Sequence, residues 1–222
     1  MVISPEFALL TSAVLRDVLP EKTDAIFIHA QDDLREELLG CVATLYHRLP
    51  AAPVVVLNGL AKYEPTPNSW GFEEWSSILC GPLRVLSDHV HKIPPARHTG
   101  EEAENLMKLC KKRGWRSVTI AATPYRLPRC FLTVLGSMFN CSWNMRIVIH
   151  CITVGADLNE RVEKHSVIQG VIVGSRLEQF CTELEKINEY RVKYLSGRTG
   201  FSRLASFEEW SDYLQNRASY NK

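Results

Sequence analysis

VTIAATPYRLPRCFLTVL, Val118 to Leu135, decides how this chain is read. It opens with a short apolar run, Val118 to Ala122. It closes with a longer one from Cys130, and two prolines and two arginines lie between. The first run has the length and β-branched content of a buried strand. Proline fixes φ and tolerates the first turn of a helix, so Pro124 and Pro128 mark where a helix begins. A strand feeding directly into a helix is the repeating unit of a parallel sheet.

The same alternation runs outward in both directions. Asp24 to His29 is a compact apolar strand, and the segment from Asp32 to Leu49 places Leu38, Cys41, Val42, Leu45 and Leu49 at helical spacing. Pro53 to Leu57 is a second strand, turned by Asn58-Gly59, and a short helix is expected over Gly71 to Leu79. A third strand falls within Val85 to Ile93. The segment from His98 to Arg113 reads as a helix, with Thr99 and Glu102 spaced for a capping box. Its end carries Lys111-Lys112-Arg113 and then Gly114, which suit the negative helix terminus and the stop. Strands over Ser117 to Ala122 and Arg146 to Thr153, a helix from Leu127 to Phe139 and a long helix from Ser175 to Leu195 complete the pattern. The expected fold class is α/β, with a mostly parallel central sheet of about five strands covered on both faces. FEEWS occurs at Phe72–Ser76 and again at Phe207–Ser211, which reads as two similar helix starts and not as a repeat.

Composition narrows the function classes. The chain has 222 residues, 45% of them hydrophobic and 23% charged, with a net charge of +1. This is ordinary for a folded domain and gives no electrostatic case for nucleic acid. No apolar run reaches the ~18–20 residues of a membrane helix. The start, Met1-Val-Ile-Ser-Pro, lacks the basic region of a signal peptide. Seven cysteines without a close pair point to free thiols in a reducing compartment, so a cytoplasmic protein is expected.

Ligands of parallel sheets sit outside the carboxyl ends of the strands. Here those ends supply His29 and Asp32, then Asn58, then Thr99 and Glu102, then Thr123, Arg126 and Arg129. Two arginines at a helix start whose N–H groups point outward have the makings of a site for phosphate or carboxylate. In the plainer alternative the arginines pair with Asp32, Asp33 or Glu101 and join elements. His29 has the chemistry of a general base or of a satisfied residue at the sheet rim. His89, His91 and His98 lack a carboxylate or cysteine at ligand spacing, so no metal site is expected. The chain has no GxGxxG after its first strand, no phosphate loop and no GxSxG elbow.

Three motifs in order, HTGEEAENL (98–106), RGWRSVTIAAT (113–123) and YRLPR (125–129), resemble the DUF218 family, also called YdcF-like or SanA-like. The resemblance covers roughly residues 22–155. Thr99, Glu102, Asn105, Thr123 and Arg129 match the family's motif positions. It departs at His29-Ala-Gln-Asp and Asn58-Gly-Leu, where the family is glycine-rich, and at Arg126, where the family has histidine. The resemblance implies a single Rossmann-like three-layer domain over 1–222, with a core at about 22–155 and a helical extension at about 156–222. It implies a small anionic, nucleotide-like ligand, such as S-adenosylmethionine or a phosphorylated metabolite, at the matching Thr99, Glu102, Asn105, Thr123 and Arg129, to which the strand-end reading adds Asn58 and Arg126. His29 and Asp32 would then contact a sugar or move a proton, in an enzyme of transferase or hydrolase type. The substitutions favour an alternative, a non-catalytic descendant acting as a subunit or homodimer through Trp70, Phe72, Trp75 or the helix near Trp210.

Overall fold

The computed structural model describes residues 4–29, 33–62, 69–141, 146–166, 170–197 and 203–221. Five parallel strands form the central sheet: β1 (Ala25–Ile28), β2 (Val54–Asn58), β3 (Val90–Ile93), β4 (Ser117–Ala121) and β5 (Val148–Ile152). Their spatial order is β3-β2-β1-β4-β5. Registers such as Phe27↔Val56 and Phe27↔Ile120 keep the apolar rows aligned across it. The fold is α/β with helices on both faces, a Rossmann-like three-layer sandwich, and the sheet is wholly parallel.

Side chains alternate between the two faces, as the period of a strand requires. Ala25 and Phe27 enter one core with Val118 and Ile120. There they meet α1 (Pro5–Leu15), α4 (Thr99–Arg113) and α5 (Leu127–Asn140) through Leu10, Leu106, Met107 and Phe131. Ile26 and Ile28 enter the other core with Val55 and Leu57, against α2 (Arg35–Arg48) and α3 (Phe72–Cys80). α1 is a helix that the sequence does not announce; Pro5 occupies its first turn, and Phe7, Leu10 and Val14 form its buried face. The third strand falls within the expected segment, at Val90–Ile93, and is preceded by a turn of 3-10 helix at Ser87–His89.

The C-terminal extension also differs from the helical expectation. It opens with an antiparallel hairpin, β6 (Arg161–Ser166) and β7 (Gly170–Ser175), in which the β-branched sequence Val171-Ile-Val173 favours extended chain. Helices α6 (Arg176–Leu195) and α7 (Phe207–Asn216) follow. Both start with serine capping boxes, Ser175 with Glu178 and Ser206 with Glu209. Trp75 and Trp210 are buried in the two cores, so they pack the fold and offer no contact surface. All seven cysteines are free, with Cys110, Cys130 and Cys151 buried.

Gly114 and Gly59 are among the backbone positions that require glycine. Gly114 ends α4 in the left-handed region at φ 68°. At Gly59, a Cβ would lie 2.4 Å from the Ile93 carbonyl oxygen, so only glycine lets the chain leave β2 this close to β3.

The outer edge of β5 is closed by side chains. The Tyr213 hydroxyl accepts from the Ile149 N–H at 2.5 Å and donates to the Ile147 carbonyl at 3.0 Å. Asp17 accepts from the Cys151 N–H at 2.8 Å and is held by Arg217, which also donates to the Ile149 carbonyl. Unpaired strand groups invite pairing with other chains, and here side chains use them up. Tyr213→Phe removes one hydroxyl and leaves a buried donor and acceptor unmatched. It is expected to lower unfolding free energy by about 1–3 kcal/mol in urea titration. A loss near zero would mean that the hydroxyl does not satisfy this edge.

Candidate functional site

β1 neighbours both β2 and β4, so the chain builds outward from β1 in one direction and then restarts on its other side at β4. The connections therefore diverge at the carboxyl ends of β1 and β4, which is where open parallel sheets leave a crevice. His29 follows β1 directly, and its N–H donates to the Ala121 carbonyl of β4 at 2.9 Å. Thr123, wholly buried, follows β4. Asn58 ends β2, and α4 brings Thr99 and Glu102 to the same edge.

A buried polar line runs across it. His29 Nδ1 lies 2.5 Å from Glu102 Oε2, with both side chains almost fully enclosed. This is a close ion contact lying off the hydrogen-bond axis, since neither atom has a hydrogen-bond partner among the described residues. Glu102 Oε1 accepts from the Asn58 amide at 2.8 Å. The Asn58 amide also donates to the Ala96 carbonyl, and its oxygen accepts from the Leu60 and Ala96 N–H groups. Asn58 thus spends its donors and acceptor inside the protein and acts by positioning Glu102.

Burial presses the His29 pKa down, but Cys130 and Glu102 more than offset it and hold it up to about 9. Burial presses Glu102 upward, but the His29 charge, the Asn58 amide and the Arg126 charge bring it below the ordinary carboxylate value. At neutral pH the pair is therefore an imidazolium facing a carboxylate. Of the two roles open to His29, a general base or a satisfied residue at the sheet rim, the raised pKa and the Glu102 contact suit the second, with the ring positively charged.

The expected capping box of α4 does not form. The N-cap is His98, whose side chain makes no cap hydrogen bond, and Thr99 is the first helical residue. The reason is competition. Glu102 is taken by His29 and Asn58, and Thr99 Oγ1 accepts from Arg129 Nη1 at 2.6 Å.

The expected anion cradle at the start of α5 is altered too. The N–H groups of Arg126 and Leu127 both donate to the Thr123 carbonyl at 3.0 Å, and Pro128 has none. Arg129 is buried, and its Nε donates to Glu183 of α6 at 2.5 Å. The guanidinium also lies 5.6 Å from the Tyr190 ring. Burial disfavours the Arg129 charge, and Glu183 outweighs this and raises its pKa. So the arginine does pair with a carboxylate, and that carboxylate is none of Asp32, Asp33 or Glu101. Arg126 is half-buried, and its charge acts on both Glu102 and Tyr125.

A second ion pair lies beside the first. Arg176, the first residue of α6, holds Asp33 through Nε at 2.8 Å and Nη2 at 3.0 Å. The same guanidinium donates to Glu160, and the Tyr125 hydroxyl donates to Asp33 at 3.2 Å. Leu34, next to Asp33, is held in the left-handed region at φ 54°, a strained backbone for leucine. Arg176 and Glu183 do not stand out in the sequence because their partners are distant in the chain. Their local signal is charge on the apolar side of a helix otherwise lined by Leu184 and Ile187.

Asp32 lies outside the described residues. Asn105 stands apart from His29, with its amide donating to the Pro94 carbonyl at 3.3 Å. The histidines do not converge: His89 bonds Tyr46, His91 bonds the Asp88 carbonyl, and His98 lies 3.5 Å from Glu101. No group of three metal-ligating side chains occurs among the described residues. No helix among them is long and apolar enough to cross a membrane. A cavity of about 330 Å³ lies between Leu19–Glu21 and Arg48–Pro50, at the opposite, amino ends of the strands and away from this cluster. No family model matches the chain, and no curated protein matches it.

Proposed function

We propose that the chain is a DUF218-like ligand-binding protein. Its ligand is small and nucleotide-like and carries an anionic group, either the carboxylate of S-adenosylmethionine or the phosphate of a phosphorylated metabolite. The ligand sits at the carboxyl edge between β1 and β4. One observation carries the reading: His29, Thr99, Glu102, Thr123 and Arg126, from separate segments, converge there. Burial of charge is costly, and such clusters in crevices mark functional sites more often than chance. Arg126 and the His29 imidazolium supply the positive field for the anion, and Glu102 holds the imidazolium. His29 can give a proton to a leaving oxygen or nitrogen, which suits a transferase or hydrolase. Seven free thiols fit a reducing compartment such as the cytoplasm.

A second reading has its own support. Arg129 and Asp33 are each neutralised by α6, through Glu183 and Arg176. A polar edge satisfied from within suits a non-catalytic descendant in which these charges dock the C-terminal helix.

Thermal unfolding with adenosine 5′-monophosphate, S-adenosylmethionine, ribose 5-phosphate and inorganic phosphate separates the two. A ligand at 100 times its dissociation constant adds about 2.7 kcal/mol. The expected result is a clear shift with at least one of them in the native chain and none in Arg126→Ala, each compared with its own ligand-free sample. Silence from every ligand in a folded sample favours the non-catalytic reading.

A further inference from the structure

Gln179 of α6 is 3% exposed, and neither its amide nitrogen nor its amide oxygen has a hydrogen-bond partner among the described residues. A buried primary amide with every donor and acceptor unmatched is rare, because such groups lose their water and gain nothing in return. Its neighbours on the same helix face are engaged. Arg176, three residues earlier, holds Asp33, and Glu183, four residues later, holds Arg129. Asp33 lies in the segment that follows β1, and Arg129 in the first turn of α5, which follows β4. These two pairs, about 10 Å apart along α6, straddle the crevice between the strands. The unmatched amide lies between them on the buried face of α6.

The chemistry of the amide restricts what could match it. It offers an N–H donor and an oxygen acceptor side by side, so it asks for a neighbouring acceptor and donor in one plane. A fully ionised phosphate ester or carboxylate has acceptors only and would leave the amide oxygen bare. A nucleobase edge presents both, and the two-point amide–base contact is a strong and selective one. We propose that Gln179 reads the base of a nucleotide ligand, while Arg126 and His29 face its anionic part. This rests on the reading of the crevice given above and narrows its ligand to one carrying a nucleobase.

The test is calorimetric titration of the native chain, Gln179→Leu and Gln179→Met with four nucleoside 5′-monophosphates, ribose 5-phosphate and inorganic phosphate. The native chain is expected to bind at least one nucleotide on the order of tenfold more tightly than ribose 5-phosphate. Both variants should lose that margin and keep the native affinity for ribose 5-phosphate. Gln179→Met supplies the answer if the leucine variant does not fold. A margin that persists in a folded variant overturns the role of Gln179. Equal binding of nucleotides and ribose 5-phosphate by the native chain also overturns it and leaves the anion site standing. Silence towards every probe removes the crevice reading and this inference together.

Discussion

Arg129→Ala is expected to lose about 3–5 kcal/mol of unfolding free energy. The loss arises less from the missing contacts than from what remains. Glu183 is 1% exposed, and without the guanidinium its carboxylate stays buried, with Lys186 facing it at 3.1 Å. Thr99 also loses its donor. Lys186 is itself partly solvated and offsets some of the cost, which places the loss towards the lower end of the range. The double variant Arg129→Met with Glu183→Leu removes both charges and fills the space with apolar atoms. It should recover most of the loss, because an ion pair repays its own desolvation poorly. Urea unfolding of the native chain, Arg129→Met, Glu183→Leu and the double variant measures all four corners of this cycle. Additive losses, with no recovery in the double variant, would show that the two charges do not act as a pair.

Stability is expected to fall as pH rises from about 6.5 to 9, and His29 is the reason. Its folded pKa is raised from 6.5 to about 9, so the folded chain holds a proton there that the unfolded chain has released. The contribution is complete below the unfolded value and is lost as pH passes through about 9. It amounts to roughly 3 kcal/mol. Glu102 behaves in the opposite sense. Its folded pKa lies below 4.5, so its contribution is present above that value and is lost as pH falls. The pair is therefore strongest in mildly acidic solution. Glu102→Gln keeps the shape and the Asn58 contact but removes the carboxylate charge. The variant should be less stable near pH 6 and should lose the part of the alkaline slope that Glu102 contributes beside Cys130. Urea titrations at pH 6, 7.5 and 9 read this as a difference between the two proteins. Parallel curves across that range would disprove the assignment of the slope to this pair.

The fold is legible to the extent that it depends on near neighbours. Runs such as Ala25–Ile28 and Val118–Ala121 are too short and too apolar to be anything but buried strands, and the helices between them repeat at helical spacing. α1 escapes this reading because apolar residues lie on every side of it, as the consecutive Phe7, Ala8, Leu9 and Leu10 show, so no stripe stands out. The hairpin escapes it because a two-stranded unit has little pattern of its own.

Site residues are legible by position but not by role. The rule that ligands lie at the carboxyl ends of strands leads to His29, Asn58, Thr99, Glu102, Thr123, Arg126 and Arg129, and the structure draws these to one edge of the sheet. What the spacing of Thr99 and Glu102 suggests, a capping box, is a local preference of about 1 kcal/mol. It yields to a buried charge that needs a partner, a demand several times larger.

By itself, then, the sequence determined the α/β class, a mostly parallel sheet of about five strands and the edge at which polar side chains gather, because these follow from periodicity and turn chemistry within a few residues. Only the tertiary structure decided which charge meets which. His29 with Glu102, Arg129 with Glu183 and Arg176 with Asp33 are joined across 73, 54 and 143 residues of chain, respectively. Such partners are chosen by the need to neutralise a charge once packing has removed its water, and that need exists only after the chain has folded.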